Sequence, residues 1–224
     1  MKSIVTGGAG FIGSHLVDAL IAHGDEVHVI DNLSTGRKER VHKDAVFHHT
    51  DIRDFDAIAP IFKDASRVFH SAALARVQPS IKDPHTYHDV NSKGTLNVLV
   101  ASRDAGVGRL IYSASSSAYG NQEKLPLHED MEARPMSPYA LQKYTGELSS
   151  RLFSQIYGLE TVSLRYFNVY GPRQTTEADG AYATVIGIFL GQRASGRPMT
   201  IVPDGTQSRD FTHVRDVVRA NILA

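Results

Sequence analysis

Met1-Lys2-Ser3-Ile4-Val5-Thr6-Gly7-Gly8-Ala9-Gly10-Phe11-Ile12-Gly13 is the stretch whose reading decides the fold. The apolar pair Ile4-Val5 reads as a short buried strand, the glycines as a turn, and the amphipathic run from Phe11 to Ala22 as a helix. Gly8, Gly10 and Gly13 satisfy G-x-G-x-x-G, and Gly7, Gly10 and Gly13 satisfy the nested G-x-x-G-x-x-G. Such a turn brings backbone N–H groups and a helix N-terminus against a pyrophosphate, because no Cβ blocks the approach. Glycines alone also fit a plain strand-to-helix turn, so the residues that follow decide.

Glu26-Val27-His28-Val29-Ile30 reads as the second strand and ends at Asp31. A carboxylate at that tip can accept hydrogen bonds from an adenosine ribose and would repel the 2′-phosphate of NADP, which favours NAD. Asp31 also suits a turn in Asp31-Asn32-Leu33-Ser34-Thr35-Gly36, a weaker reading given the strand and glycines before it. Downstream, strand patterns at Ala45 to His49, Arg67 to His70, Arg109 to Tyr112 and Glu160 to Leu164 alternate with helical ones. The helical patterns run from Phe55 to Phe62, from Ser80 to Ala105 and from Pro138 to Tyr157. This alternation predicts an α/β fold, a doubly wound parallel sheet with helices on both faces. The rhythm loosens from Asn168, where turn signals suggest a smaller second lobe. The division expected is a dinucleotide-binding domain over 1–165 and a partial lobe over 166–224.

Composition narrows the function. The 224 residues carry a formal net charge of +0 and no long basic run, which argues against nucleic acid as a partner. There is no cysteine, hence no disulfide framework or zinc-thiolate site, and a cytoplasmic location fits. No run approaches the roughly 20 apolar residues of a membrane helix. Eleven histidines are scattered without ligand spacing, so no metal is expected.

Chemistry enters after the fifth strand, with Ser113-Ala114-Ser115-Ser116-Ser117-Ala118-Tyr119-Gly120, and then Ser137-Pro138-Tyr139-Ala140-Leu141-Gln142-Lys143. Tyr139 and Lys143 are four apart and share one helix face. A phenol with a pKa of about 10 is a poor base at neutral pH, but a nearby ammonium favours the phenolate. The phenolate can then take a hydroxyl proton while a hydride leaves to a nicotinamide. A neighbouring serine can hold the same sugar oxygen. A Tyr–Lys pair alone is common on helices; its place after the glycine turn, Asp31 and a serine cluster makes it informative.

The ordered motifs now carry a resemblance. They are Thr6 to Gly13, Asp51-Ile52, His70-Ser71-Ala72-Ala73, Asn91 to Thr95, Ser115, Tyr139 with Lys143, Arg165 to Arg173, and Arg209 to Val214. From residue 1 almost to residue 217 the chain resembles the extended short-chain dehydrogenases/reductases, in their nucleotide-sugar epimerase/dehydratase group. The resemblance implies NAD as cofactor, with Asp51-Ile52 against the adenine, Ala72-Ala73 along the cleft and Phe167 near the nicotinamide. Gly7, Gly10, Phe11, Ile12, Gly13, Asp31 and Asn32 complete the implied NAD set. It makes Tyr139 the base, gives Lys143 the nicotinamide ribose as well, and assigns the substrate hydroxyl to Ser115, counted back from Tyr119-Gly120. Asn168 and Arg209 would bind the nucleotide diphosphate, and Asn91 would organise buried polar groups.

The subclass follows from what is missing. The family's 4,6-dehydratases carry Thr-Asp-Glu, and its decarboxylases usually Thr-Ser-Glu, where this chain has Ser115-Ser116-Ser117. Without those acidic groups the site is equipped to oxidise a hydroxyl and return the hydride, which implies C4 epimerisation of a UDP-hexose, UDP-glucose/UDP-galactose first. Alternatives are UDP-N-acetylglucosamine or UDP-glucuronate epimerisation, a reductase, or a non-catalytic NAD-binding sensor. The resemblance also implies a homodimer through the helix around residues 86–105 and the helix carrying Tyr139. Family chains continue past the helical run Val214 to Ala224, so the second lobe is expected to be truncated here.

Overall fold

The computed structural model describes residues 1–176, 180, 183–201 and 204–224. Six parallel strands form one sheet: β1 (Lys2–Thr6), β2 (Glu26–Asp31), β3 (Val46–His49), β4 (Arg67–His70), β5 (Arg109–Ser115) and β6 (Glu160–Tyr166). Their order is β3-β2-β1-β4-β5-β6. The chain winds outward from β1 in one direction and then from β4 in the other. The crevice at that reversal, beyond the carboxyl ends of β1 and β4, is where such sheets take ligands.

Successive residues of a strand face opposite sides of the sheet, and the two cores follow from that rule. Ile4, Ile30, Val68 and Leu110 lie in one core with Val98, Leu99 and Phe153. Their neighbours Val5, Val29, Phe69 and Ile111 lie in the other with Leu16, Val17 and Leu20 of α1 (Phe11–Ala22). Strands buried on both faces read as continuous apolar pairs, the pattern of a parallel sheet.

The expected elements are found, with different ends. β5 and β6 run on to Ser115 and Tyr166, pairing Ser113 with Leu164 and Ser115 with Tyr166. Serines interrupt the apolar pattern there but not the ladder. The run from Phe55 to Phe62 is α2 (Phe55–Ile58) continued as 3₁₀ over Ala59–Phe62, with Pro60 at its start.

The Ser80 to Ala105 pattern is not one helix. It splits into α3 (Val77–Lys82), α4 (Pro84–His88), a π-helical turn (Asp89–Gly94) and α5 (Thr95–Asp104). Asp83 precedes a proline, which disfavours helical backbone. It sits at φ −134° and caps α4 by accepting the Thr86 N–H at 3.1 Å. The long helix α6 (Pro138–Tyr157) starts at Ser137, whose hydroxyl accepts the Ala140 N–H, and ends at Gly158 in the left-handed conformation.

Beyond β6, β7 (Asn168–Tyr170) pairs with β8 (Phe211–His213) in a two-stranded parallel ribbon, and α7 (Val185–Ala194) lies between them in sequence. α8 (Val214–Leu223) buries Val214 and Val218 in the same core as Leu16. This last helix therefore packs against α1, on the glycine-turn side of the sheet.

Candidate active site and cofactor cleft

The glycine turn is tightly built. The Gly7 N–H donates to Ile30 O at 2.8 Å, and the Gly10 N–H donates to Gly7 O at 3.0 Å. Gly7 has φ +73°, and a Cβ there would lie 2.7 Å from the Ala72 nitrogen. A Cβ at Gly13 would lie 2.2 Å from Gly7 O. Gly10 differs: its Cβ would meet only Gly7 O, at 3.1 Å, and otherwise the space above it is open. Two glycines thus let backbone pack on backbone, while Gly10 leaves room for a ligand.

Gly7, Gly10, Phe11, Ile12 and Gly13 line one cleft. Asp31, Asn32, Asp51 and Ile52 line it on the β2–β3 side, and Ala72, Ala73, Ser115, Tyr139, Lys143, Phe167 and Asn168 on the β4–β6 side. Arg209 is not brought there. It lies in the exposed polar stretch from Asp204 to Asp210, which has no apolar side chain to anchor it, and its Nη1 donates to Ser208 O at 2.6 Å.

Asp31 serves two ends. Its Oδ2 accepts the Ala9 N–H at 2.9 Å and its Oδ1 the Leu33 N–H at 2.8 Å, so it is a turn aspartate that also lines the cleft. Burial pushes its pKa up, opposed by those two backbone hydrogen bonds. Asp51 is gripped by Arg53, with Nε at 3.0 Å from Oδ1 and Nη2 at 2.8 Å from Oδ2, and Asn32 Nδ2 donates to Oδ2 at 2.6 Å. The Arg53 hydrogen bonds hold the Asp51 carboxyl down at about 2.

Between the turn and the Tyr139 side runs a buried polar chain. Thr95 Oγ1 donates to Asn91 O at 2.6 Å, so it accepts from His70 Nε2 at 2.9 Å. His70 therefore carries its proton on Nε2 and accepts at Nδ1 from Thr6 Oγ1 at 2.7 Å. Thr6 Oγ1 in turn accepts the Ala72 N–H at 3.2 Å. Burial, with the Lys143 charge nearby, keeps His70 neutral by lowering its pKa to about 3. Asn91 grips Leu74 through both backbone atoms, accepting its N–H at 2.8 Å and donating to its carbonyl at 3.0 Å. That is the organising role expected of it.

In the Tyr–Lys half of the cleft both functional side chains are drawn toward their neutral forms by burial. Lys143 Nζ donates to Ser113 O at 2.9 Å and lies 5.2 Å from the centre of the Tyr112 ring. Burial pulls its pKa down to about 8. Burial also pushes the Tyr139 phenol up, whereas hydrogen bonding from Ser115 and the positive charge of Arg76 act downward. Ser115 Oγ shares a 2.8 Å hydrogen bond with Ser117 Oγ, so the two serines form one hydroxyl pair.

Residues that the sequence reading passed over also line this side, among them Arg76, Gln174, Thr175 and Phe211. Gln174 is 8% exposed, and its Oε1 has no hydrogen-bond partner among the described residues. Arg76 was reachable in principle, since it is a charged residue in the loop following β4. Gln174 follows the Gly171-Pro172-Arg173 turn, and nothing local marks it.

The comparisons agree with this geometry. The model of the NAD dependent epimerase/dehydratase family matches residues 3–224. A UDP-N-acetylglucosamine 4-epimerase of Methanobrevibacter ruminantium, solved with UDP-N-acetylmuramic acid, is 42% identical with a TM-score of 0.94, over 99% of this chain and 72% of that one. A UDP-glucose 4-epimerase of Thermotoga maritima, solved with UDP-glucose, is 41% identical with a TM-score of 0.96, over 100% and 72%. A UDP-glucose 4-epimerase of Thermus thermophilus, solved with NAD, is 41% identical with a TM-score of 0.92, over 100% and 74%. Glycine turn, sheet order, cleft and these likenesses together establish that the chain belongs to the NAD-dependent epimerase/dehydratase family.

Proposed function

We propose that this protein epimerises a UDP-hexose at C4, with UDP-glucose and UDP-galactose as the first pair. The observation that carries the proposal is that Ser115, Tyr139 and Lys143 line the same cleft as the glycine turn, with no acidic residue at Ser116 or Ser117. The residues present fit a dinucleotide. The space over Gly10 is open for a pyrophosphate, and Asp31 faces the cleft with carboxylate lone pairs left over from its two backbone hydrogen bonds. Gly7, Phe11, Ile12, Gly13, Asn32, Asp51, Ile52, Ala72, Ala73 and Phe167 would hold it with them.

Bound NAD supplies the hydride acceptor and donor. Tyr139 takes the proton of the sugar 4-hydroxyl and later returns it to the same oxygen, and Ser115 holds that oxygen meanwhile. Lys143 anchors the nicotinamide ribose as it donates to Ser113 O. Asn168 contacts the nucleotide diphosphate, with Arg209 joining it when substrate is present. In this reading residues 1–165 bind NAD and 166–224 contribute to the sugar nucleotide site. Relatives at 41–42% identity include both a UDP-glucose and a UDP-N-acetylglucosamine enzyme, so the sugar must be found by assay. The test is separation of products after purified protein and NAD meet UDP-galactose, UDP-N-acetylgalactosamine or UDP-galacturonate. UDP-glucose from the first is the expected outcome, and three unchanged substrates sink the proposal.

A homodimer is part of this reading. It is supported by the exposed apolar side chains Leu141, Leu148, Leu152 and Ile156 on α6 and Leu96 on α5.

A further inference from the structure

Helix α1 carries the glycine turn at its N-terminus and a second set of contacts along one face. Phe11, His15 and Asp18 share that face, at spacings of four and three. Phe11 lines the cleft, and its ring meets His15 edge to face with centroids 6.1 Å apart. His15 and Asp18 reach across to the turn that follows β7. His15 Nε2 donates to Pro172 O at 2.8 Å, and Asp18 Oδ2 pairs with Arg173 Nη2 at 2.7 Å. Two consecutive residues of one turn are thus tied to successive turns of one helix.

That turn has a demanding backbone. Gly171 has φ +143°, and Arg173 has φ +64°, where a side chain is uncommon and must be held by its surroundings. A Cβ at Gly171 would lie 2.7 Å from Val214 Cγ1, so α8 bounds the turn on another side. The Gln174 N–H donates to Gly171 O at 3.3 Å and closes it. Gln174 and Thr175 come next, and both line the cleft that Gly10 and Phe11 line from α1. The partners of the Arg173–Asp18 pair are 35% and 33% exposed, so the pair adds little to global stability. What it fixes is where the chain at residue 174 stands relative to α1.

We propose that Asp18 is a positioning residue for nucleotide-sugar binding: through Arg173 it clasps the turn at 171–173 to α1, and so sets the wall formed by Gln174 and Thr175 against the cofactor half of the cleft. This rests on the reading of that wall as part of the sugar-nucleotide site.

Charge reversal in the NAD-loaded chain tests it. Asp18→Arg brings two cations together, Arg173→Asp brings two carboxylates together, and the double variant restores the pair in the opposite sense. Aspartate is among the side chains that tolerate positive φ, so Arg173→Asp keeps the turn's backbone accessible. Each single variant should raise KM for UDP-galactose about fivefold, with kcat and NAD affinity within about twofold of wild type. Their melting temperatures should fall by no more than about 4 °C. The double variant should bring KM back to within about twofold of wild type. Amide hydrogen exchange over residues 171–175, read without turnover, should quicken in both single variants and recover in the double. An unmoved KM, a double variant no better than either single one, a KM that rises only together with lost NAD affinity, or unchanged exchange at the turn overturns the proposal. Exchange that quickens and recovers in a chain that epimerises none of the sugars supports the clasp and sinks the reaction instead.

Discussion

Lys143 is a cation held where the fold favours its neutral form. Its pKa is drawn down to about 8 by burial, against 10.5 ordinarily. Below pH 8 both folded and unfolded chains carry the proton, and the folded one bears a buried charge at a cost of roughly 3 kcal/mol. Between pH 8 and 10.5 the unfolded chain binds more protons, so this penalty is relieved and stability rises with pH. Urea unfolding at pH 7 and pH 9.5 should show that rise. Lys143→Met should abolish it and be more stable than wild type at pH 7, while losing epimerase activity. His70 acts on the acid side. Its folded pKa of about 3 lies below the ordinary 6.5, so its contribution is complete above pH 6.5 and is lost as pH falls towards 3. His48 adds to the same slope, and Asp51 contributes lower, losing its stabilisation as pH falls from its ordinary 3.8 through about 2. His70→Asn should flatten the loss of stability between pH 6.5 and 4.5. Tyr139→Phe should lower kcat by about 10²-fold or more. That Ser115, Tyr139 and Lys143 line one cleft was legible in the sequence, the last two from their spacing on one helix and Ser115 from the family resemblance. The surroundings of Lys143 were not, since the carbonyl that takes it is that of Ser113, 30 residues away in sequence.

At the scale of elements, the glycine turn separates two jobs that the motif merges. A Cβ at Gly13 would collide with Gly7 O, whereas one at Gly10 would meet that oxygen only at 3.1 Å and otherwise project into open space. Gly13→Ala should therefore lower the melting temperature severely. Gly10→Ala should fold with stability within about 1 kcal/mol of wild type yet lose NAD affinity at least tenfold by calorimetry. Equal thermal losses in the two variants would contradict this division. The apolar pairs Ile4-Val5, Val29-Ile30, Val68-Phe69 and Leu110-Ile111 made the sheet legible, because each feeds both cores. Boundaries were harder to read. The ladder carries β5 on through Ser113 to Ser115, and Pro84 with the π-helical turn breaks what periodicity alone makes one helix. Polar strand ends and helix breaks are settled by tertiary hydrogen bonds, which local patterns do not contain.

At the scale of the whole molecule, α6 joins the cleft to the outside surface. Its inner side buries Ala140, Gln142, Lys143, Gly146, Ser150 and Phe153 against the sheet. Gly146 is required there, since a Cβ would lie 2.2 Å from the Tyr112 hydroxyl. The other side leaves Leu141, Leu148, Leu152 and Ile156 exposed at spacings of seven, four and four, a stripe along one helix face. A solvated face of a helix is ordinarily polar, and a contiguous apolar stripe marks a surface that another one covers. Leu96 of α5 is also exposed, and α5 packs on α6. A second copy presenting the same two helices would be self-complementary, as a two-fold interface requires. Light scattering should give twice the mass of one chain, and Leu152→Glu should bring it to a single chain by burying a charge at that contact. Because Lys143 and Tyr139 face inward, Leu152→Glu should keep NAD binding unchanged. A single-chain mass for the unaltered protein would rule the dimer out.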